Sequence, residues 1–166
     1  MRSRGWAIGA ALSIFIADQL SKWLVTGSLQ LETVRQIFVL PFFNLTWTEN
    51  RGISLGLLTA NGDTGRWLLV GMTAVIAGGI AWWITHEHKR WDQLALGLVL
   101  GGALGNILDR VRLGFVVDFA DLHFGDWRPF LVFNVADAAI SIGVIILLLR
   151  AFLARPKVHQ EIEDHA

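Results

Sequence analysis

Phe133-Asn134-Val135-Ala136-Asp137-Ala138-Ala139-Ile140-Ser141-Ile142-Gly143-Val144-Ile145-Ile146-Leu147-Leu148-Leu149 is an apolar run with a single acid near its start. With its flanks, from 130 to about 153, it is long enough to cross ~30 Å of hydrocarbon at about 1.5 Å per residue. An ionisable side chain in such a run is costly unless it is compensated, which makes Asp137 a functional candidate. A second acid in apolar surroundings stands upstream, in Val116-Val117-Asp118-Phe119-Ala120-Asp121. Two such groups near one membrane face point to a carboxylate pair.

The composition places the whole chain in a membrane. Of 166 residues, 54% are hydrophobic, and the mean hydropathy of +0.51 is too high for a soluble domain of this size. The formal net charge is +0, so no basic stripe is available to neutralise a phosphate backbone, and nucleic acid is not an expected partner. With no cysteine, disulfides, thiolate nucleophiles and Cys-type metal sites are excluded.

Three further apolar runs precede the fourth. The first, about 5–26, is interrupted only by Ser13, Asp18, Gln19, Ser21 and Lys22. Because Asp18 and Lys22 break the run and no Ala-x-Ala site follows, it reads as a retained helix rather than a cleaved leader. The second, about 66–85, is followed by the polar loop His86-Glu87-His88-Lys89-Arg90; the third covers about 93–112. In that third run Gly97, Gly101, Gly102 and Gly105 put small residues on one face, a spacing that lets helices approach closely. The segment 27–65 differs. Thr33 to Val39 and Phe42 to Trp47 are short, β-branched or aromatic, and split by Pro41, as small strands outside the bilayer would be. Residues 53–60, between two turn signals, are expected to form a brief interfacial helix. The expected architecture is one domain, 1–166: four transmembrane helices, an extracytoplasmic β-sheet cradle at about 27–65, a short interfacial helix, and a polar tail at 155–166.

Four helices place both termini on one side. Arg2, Arg4, Lys89, Arg90, Arg150, Arg155 and Lys157 share that side, which the positive-inside rule makes cytoplasmic. Seven of the eight tryptophans fall near an expected helix end, as interfacial anchors should. Asp18, Lys22, Asn50, Asn106, Asp109, Arg110, Asp118, Asn134 and Asp137 then gather at the opposite, extracytoplasmic layer. On this reading Asp137 lies about seven residues into its helix, roughly 10 Å from the mouth, and Asp118 approaches from the loop after the third helix.

Two carboxylates a few ångströms apart share a proton near neutral pH, because low dielectric and mutual repulsion raise one pKa. One is then a base that takes a proton from water, and the other an acid that protonates a carbonyl oxygen and the leaving amine. Such chemistry needs no metal and no cofactor. Asp18 and Lys22, at i, i+4 with the acid first, fit a mutual neutraliser or, less simply, a holder of substrate backbone. Asn106 and Arg110 share a helix face, as do Asn134 and Asp137; these asparagines could orient a substrate carbonyl or serve as polar glue between helices. A Ser/Lys dyad is disfavoured because Ser21 and Lys22 are adjacent and point apart, and His86 and His88 show no HExxH pattern. A proton-coupled carrier built on the same charges is the rival reading; it lacks the inverted repeat that many carriers show.

Five fragments in order carry a family resemblance: Asp18-Gln19-Leu20-Ser21-Lys22; Asn50-Arg51-Gly52-Ile53-Ser54-Leu55-Gly56; Gly101-Gly102-Ala103-Leu104-Gly105-Asn106-Ile107-Leu108-Asp109-Arg110; Val117-Asp118-Phe119; and Phe133-Asn134-Val135-Ala136-Asp137. Over nearly its whole length the chain resembles the bacterial lipoprotein signal peptidases, the type II signal peptidases. The resemblance implies an aspartyl endopeptidase of the cytoplasmic (inner) membrane that cleaves prolipoproteins on the N-terminal side of a diacylglyceryl-modified cysteine. It maps the catalytic dyad onto Asp118 and Asp137, places Asn106, Arg110 and Asn134 around the scissile peptide, and makes Asp18, Lys22, Asn50 and Gly52 supports of the site. Ile53 and Leu55 stand where the family usually has an alanine and a phenylalanine. The implied partners are the diacylated prolipoprotein and membrane lipid, the site lies near the periplasmic face, and four helices around one site need no partner subunit. The glycines of the third run would leave room for the apolar signal segment.

Overall fold

The computed structural model describes residues 4–52 and 63–153. Helix α1 (Gly5–Trp23) widens into a π-helical turn (Leu24–Ser28) and is followed by a single helical turn, α2 (Leu31–Val34). Strands β1 (Gln36–Leu40) and β2 (Phe43–Asn50) come next, then α3 (Asp63–His86), α4 (Arg90–Leu113), β3 (Val116–Leu122) and α5 (Val135–Leu153). Four of these helices are long and apolar enough to cross a membrane: Gly5–Ser28, Thr64–His86, Arg90–Leu113 and Val135–Leu153. Their outer surfaces agree, since Val75, Trp82 and Leu153 are more than half exposed, the inverse of a water-soluble bundle.

Helix α4 is the centre, packing against α1, α3 and α5. Its glycines explain how. Gly97 and Gly101 lie directly against the carbonyl oxygens of Ala7 and Ala11 on α1, and Gly102 lies against that of Ala136 on α5. A Cβ at any of the three would fall on backbone, so only glycine permits this approach. In lipid, where apolar side chains gain nothing by leaving the solvent, such backbone proximity supplies the packing attraction. The expectation that these glycines leave room for a signal segment is therefore corrected: α1 and α5 already occupy both faces.

The sheet has the order β1-β2-β3, both pairings antiparallel. Gln36 faces Thr46 and Phe38 faces Asn44 in the first pair; Leu45 faces Ala120, Thr48 faces Asp118 and Asn50 faces Val116 in the second. Three sequence readings change here. Thr33 and Val34 belong to the α2 turn, because Leu31 buries completely as its anchor and the strand begins only at Gln36. Asp118 is not in a loop after α4 but in β3, which Gly114, at φ 87°, frees from the helix by ending it. Helix α5 starts at Val135 rather than 130, because Phe133 is engaged with the sheet, its N–H donating to Ala120 O at 3.0 Å and its carbonyl accepting from Ala120 N at 2.7 Å. Asp137 consequently sits in the first turn of its helix, not deep within it. The interfacial helix expected at 53–60 and the tail at 155–166 lie outside the described residues.

At the end away from the sheet, Arg4 Nη2 donates to Thr85 O at 3.2 Å, and Arg150 makes a two-pronged ion pair with Asp92. These contacts gather the start of α1, the end of α3, the start of α4 and the end of α5 at one end of the bundle. The packing makes a direct prediction. Gly101→Leu lowers stability by about 1–3 kcal/mol, the usual cost of overpacking, seen as a lower unfolding temperature in detergent. Gly79→Leu, on α3 with nothing within 4 Å of its would-be Cβ, leaves that temperature unchanged.

Candidate active site

The site lies where α1, α4, α5 and β3 meet. The strand period places Asp118 beside Asn50 of β2, whose Nδ2 donates to Asp118 Oδ2 at 3.0 Å. The other carboxylate oxygen accepts from Asn134 Nδ2 at 2.6 Å. Asp118 is 2% exposed and Asn134 fully buried. Gly52 holds Asn50 in turn: its N–H donates to Asn50 Oδ1 at 3.1 Å, with φ at 109°, a backbone conformation that glycine adopts without strain.

Asn134 also starts α5. Its Oδ1 accepts from Asp137 N at 2.9 Å, while Asp137 Oδ2 accepts from Asn134 N at 3.4 Å. This reciprocal pair is a capping box, and it sets Asp137 at a helix N-terminus, where the backbone dipole favours negative charge. Asp137 Oδ1 accepts from Asn106 Nδ2 at 2.9 Å. Asp137 is half-buried and lines an apolar groove of about 270 Å³ together with Phe130, Phe133, Ala138, Ser141 and Ile142. One carboxylate is thus sealed, and the other faces an apolar groove.

Beneath them is a charged layer. Lys22 Nζ lies 2.8 Å from both Asp18 Oδ2 and Asp109 Oδ2, and 3.3 Å from Asn106 Oδ1. Asp18 Oδ1 accepts from Ala136 N at 3.1 Å, satisfying an N–H of the first turn of α5. Asp109 Oδ2 accepts from Val117 N at 3.2 Å, which fixes the start of β3. Gln19 Nε2 closes the layer, donating to Asp18 Oδ2 and Asp109 Oδ1, both at 3.1 Å. Arg110, half-buried, reaches back only to Asn106 O, at 3.4 Å, and its Nε is buried without a partner among the described residues.

The site thus holds one buried and one half-buried carboxylate, linked by one asparagine beside an apolar groove. A family model described as signal peptidase (SPase) II covers residues 10–153. The chain belongs to the signal peptidase II family. It is 56% identical to a lipoprotein signal peptidase of Rhizorhabdus wittichii over 97% of this chain and 94% of that one. It is likewise 56% identical to one of Sphingopyxis alaskensis, over 88% and 84%. A solved structure described as a bacterial membrane enzyme, determined in meso at 1.9 Å, superposes with a TM-score of 0.77 at 30% identity, covering 92% of this chain and 95% of that one. The chain is accordingly a membrane-embedded protease of this family.

All nine residues singled out from the sequence lie in this one network of α1, α4, α5 and the sheet. The Asp18–Lys22 pair is a neutraliser, as its spacing allowed, but Lys22 serves two acids rather than one. Two participants were given no role from the sequence: Asp109, placed in the polar layer but not among the site residues, and Gln19, hidden between the charges. For Asp109 the available signal was its i, i+3 spacing from Asn106, which puts both on one helix face. For Asp137 the missed signal was Asn-x-x-Asp itself, a helix-start pattern.

Burial, reinforced by the negative charge of Asp137, pushes the Asp118 carboxyl up from its ordinary value of 3.8 to about 6, against the opposing hydrogen bonds from Asn50 and Asn134. The folded protein therefore binds this proton more tightly than the unfolded chain, and stability falls as pH rises from about 4 to about 6. Thermal unfolding of the Asp118→Asn variant shows a smaller decline over that interval than the parent. Lys22→Met leaves Asp18 and Asp109 uncompensated and lowers stability by about 3–5 kcal/mol, read as the shift in unfolding temperature of the purified protein.

Proposed function

We propose that this chain cleaves prolipoproteins on the N-terminal side of a cysteine carrying a diacylglyceryl group, with Asp118 and Asp137 as the catalytic dyad. The observation that carries this reading is Asn134, which donates to Asp118 and caps the helical turn bearing Asp137. One residue thereby sets the relation between two carboxylates that come from a strand and a helix. The negative charge of Asp137 acting on Asp118 is the condition under which a pair holds a single proton.

In the reaction the ionised member takes a proton from water, whose oxygen attacks the scissile carbonyl carbon. The protonated member gives its proton to the carbonyl oxygen. Collapse of the tetrahedral intermediate breaks the C–N bond: the nitrogen leaves with a proton from one member of the dyad, and a hydroxyl of the intermediate returns a proton to the other. Asn106, which donates to Asp137, and Arg110 on the same helix face meet the scissile peptide; Asn50 and Gly52 hold Asp118, and Asp18 and Lys22 hold the first turn of α5. The apolar groove beside Asp137 receives apolar side chains of the signal segment. A lipidated substrate meets such a groove by lateral diffusion.

The sheet end faces the periplasm and the other end, with Lys89, Arg90 and Arg150, faces the cytoplasm, as the distribution of basic residues favours. Both termini are then cytoplasmic, the membrane is the bacterial inner membrane, and the chain works as a single monomeric domain surrounded by lipid.

Cleavage of a purified diacylated prolipoprotein tests the assignment. Asp118→Asn and Asp137→Asn each reduce the rate by about 10²–10⁴, and the double variant is little worse than either single one, because the two groups act as a unit. Retained cleavage by both single variants would overturn the dyad. Chelators leave the rate unchanged; loss with EDTA and recovery with zinc would contradict the metal-free route.

A further inference from the structure

A second cavity, of about 230 Å³, shares no lining residue with the groove beside Asp137. It lies between the ends of α1 and α4 under the sheet, at the level where helices give way to strands. Its floor is Gln19, Lys22 and Asp109, whose charges are already matched within the layer described above. Its exposed rim carries one acid, Glu32, and one base, Arg112. Neither side chain has an ion-pair or hydrogen-bond partner among the described residues. Trp47 forms part of the wall, and its indole N–H is buried with no acceptor there.

The unmatched groups define a ligand. Arg112 and the Trp47 N–H are donors only, suited to an anionic oxygen, while Glu32 is an acceptor suited to an ammonium. Their formal charges cancel, so an ion of one sign would leave the opposite rim charge unanswered. Below the rim, Ile16, Leu20 and Trp23 follow one another at helical spacing on α1 and are all more than half exposed, giving a continuous apolar stripe in the membrane-spanning segment. A mouth with separated plus and minus charges above an apolar stripe fits an amphiphile whose head is zwitterionic.

We propose that this cavity binds the headgroup of an amine-bearing zwitterionic phospholipid, with its phosphodiester at Arg112, its ammonium at Glu32 and its acyl chains along Ile16, Leu20 and Trp23. The site is distinct from the groove at Asp137 and does not rest on the catalytic reading. Lys22 separates the two, lining this cavity while its Nζ approaches Asn106, the partner of Asp137.

The test is native mass spectrometry of the full-length protein in detergent, titrated with phosphatidylethanolamine, phosphatidylglycerol or soluble glycerophosphoethanolamine. One phosphatidylethanolamine is retained, in preference to phosphatidylglycerol. Arg112→Gln weakens that retention about tenfold or more, the effect of losing one charge-assisted hydrogen bond. Glu32→Gln removes the preference for the amine while leaving phosphatidylglycerol bound. Both positions are exposed, so folding is retained, and Lys89→Gln, exposed at the opposite end of the bundle, serves as the control with unchanged lipid binding. The proposal is overturned if the parent and the Arg112→Gln and Glu32→Gln variants retain phosphatidylethanolamine equally, or if phosphatidylglycerol is preferred. It is equally overturned if the soluble headgroup binds as tightly as the lipid, or if a diacylglyceryl peptide displaces the lipid and so proves to be the occupant.

Discussion

The Lys22 ammonium, held 2.8 Å from both Asp18 and Asp109, is the contact on which the site depends. Each acid also accepts from a backbone N–H of another element, Asp18 from the first turn of α5 and Asp109 from the start of β3. These are the elements that carry Asp137 and Asp118. Without that cation the two buried carboxylates would be uncompensated charges, costly in a low-dielectric layer. A single buried charge therefore connects three transmembrane helices to a strand outside them.

The two candidate carboxylates are held differently, and the difference suits their chemistry. Asp118 is buried and bonded by two asparagines, and its raised pKa follows from that burial and from its neighbour's charge. Asp137 sits on a helix N-terminus and opens to the groove. Strand and helix are fixed relative to each other by Asn134, so the geometry that the proposed dyad chemistry requires is preorganised. Such rigidity depends on α4, whose glycines bring α1 and α5 to backbone contact and leave no slack beneath the site.

Much of this was legible in the residues. Four apolar runs gave four helices to within a few residues, because hydrocarbon thickness sets their length. Asp18 and Lys22 announced their pairing, since i, i+4 neighbours meet on any helix. Less was legible where a segment's conformation depends on partners remote in sequence. Val116 to Leu122 forms a strand because β2 offers it an edge, and Phe130 to Asn134 stays out of α5 because Phe133 bonds to that strand. Thr33 and Val34, good strand formers, enter a helical turn because Leu31 must bury.

The sequence by itself determined the membrane class, the number of spans and which side chains were too costly to be idle, since hydropathy and charge are properties of each residue and its near neighbours. Only the tertiary structure decided that Lys22 answers two acids, that the glycines of α4 face α1 and α5, and that Asn134 joins the two carboxylates. Those facts depend on distances between segments up to 118 residues apart. Such distances follow from how the helices pack, and no local pattern encodes them.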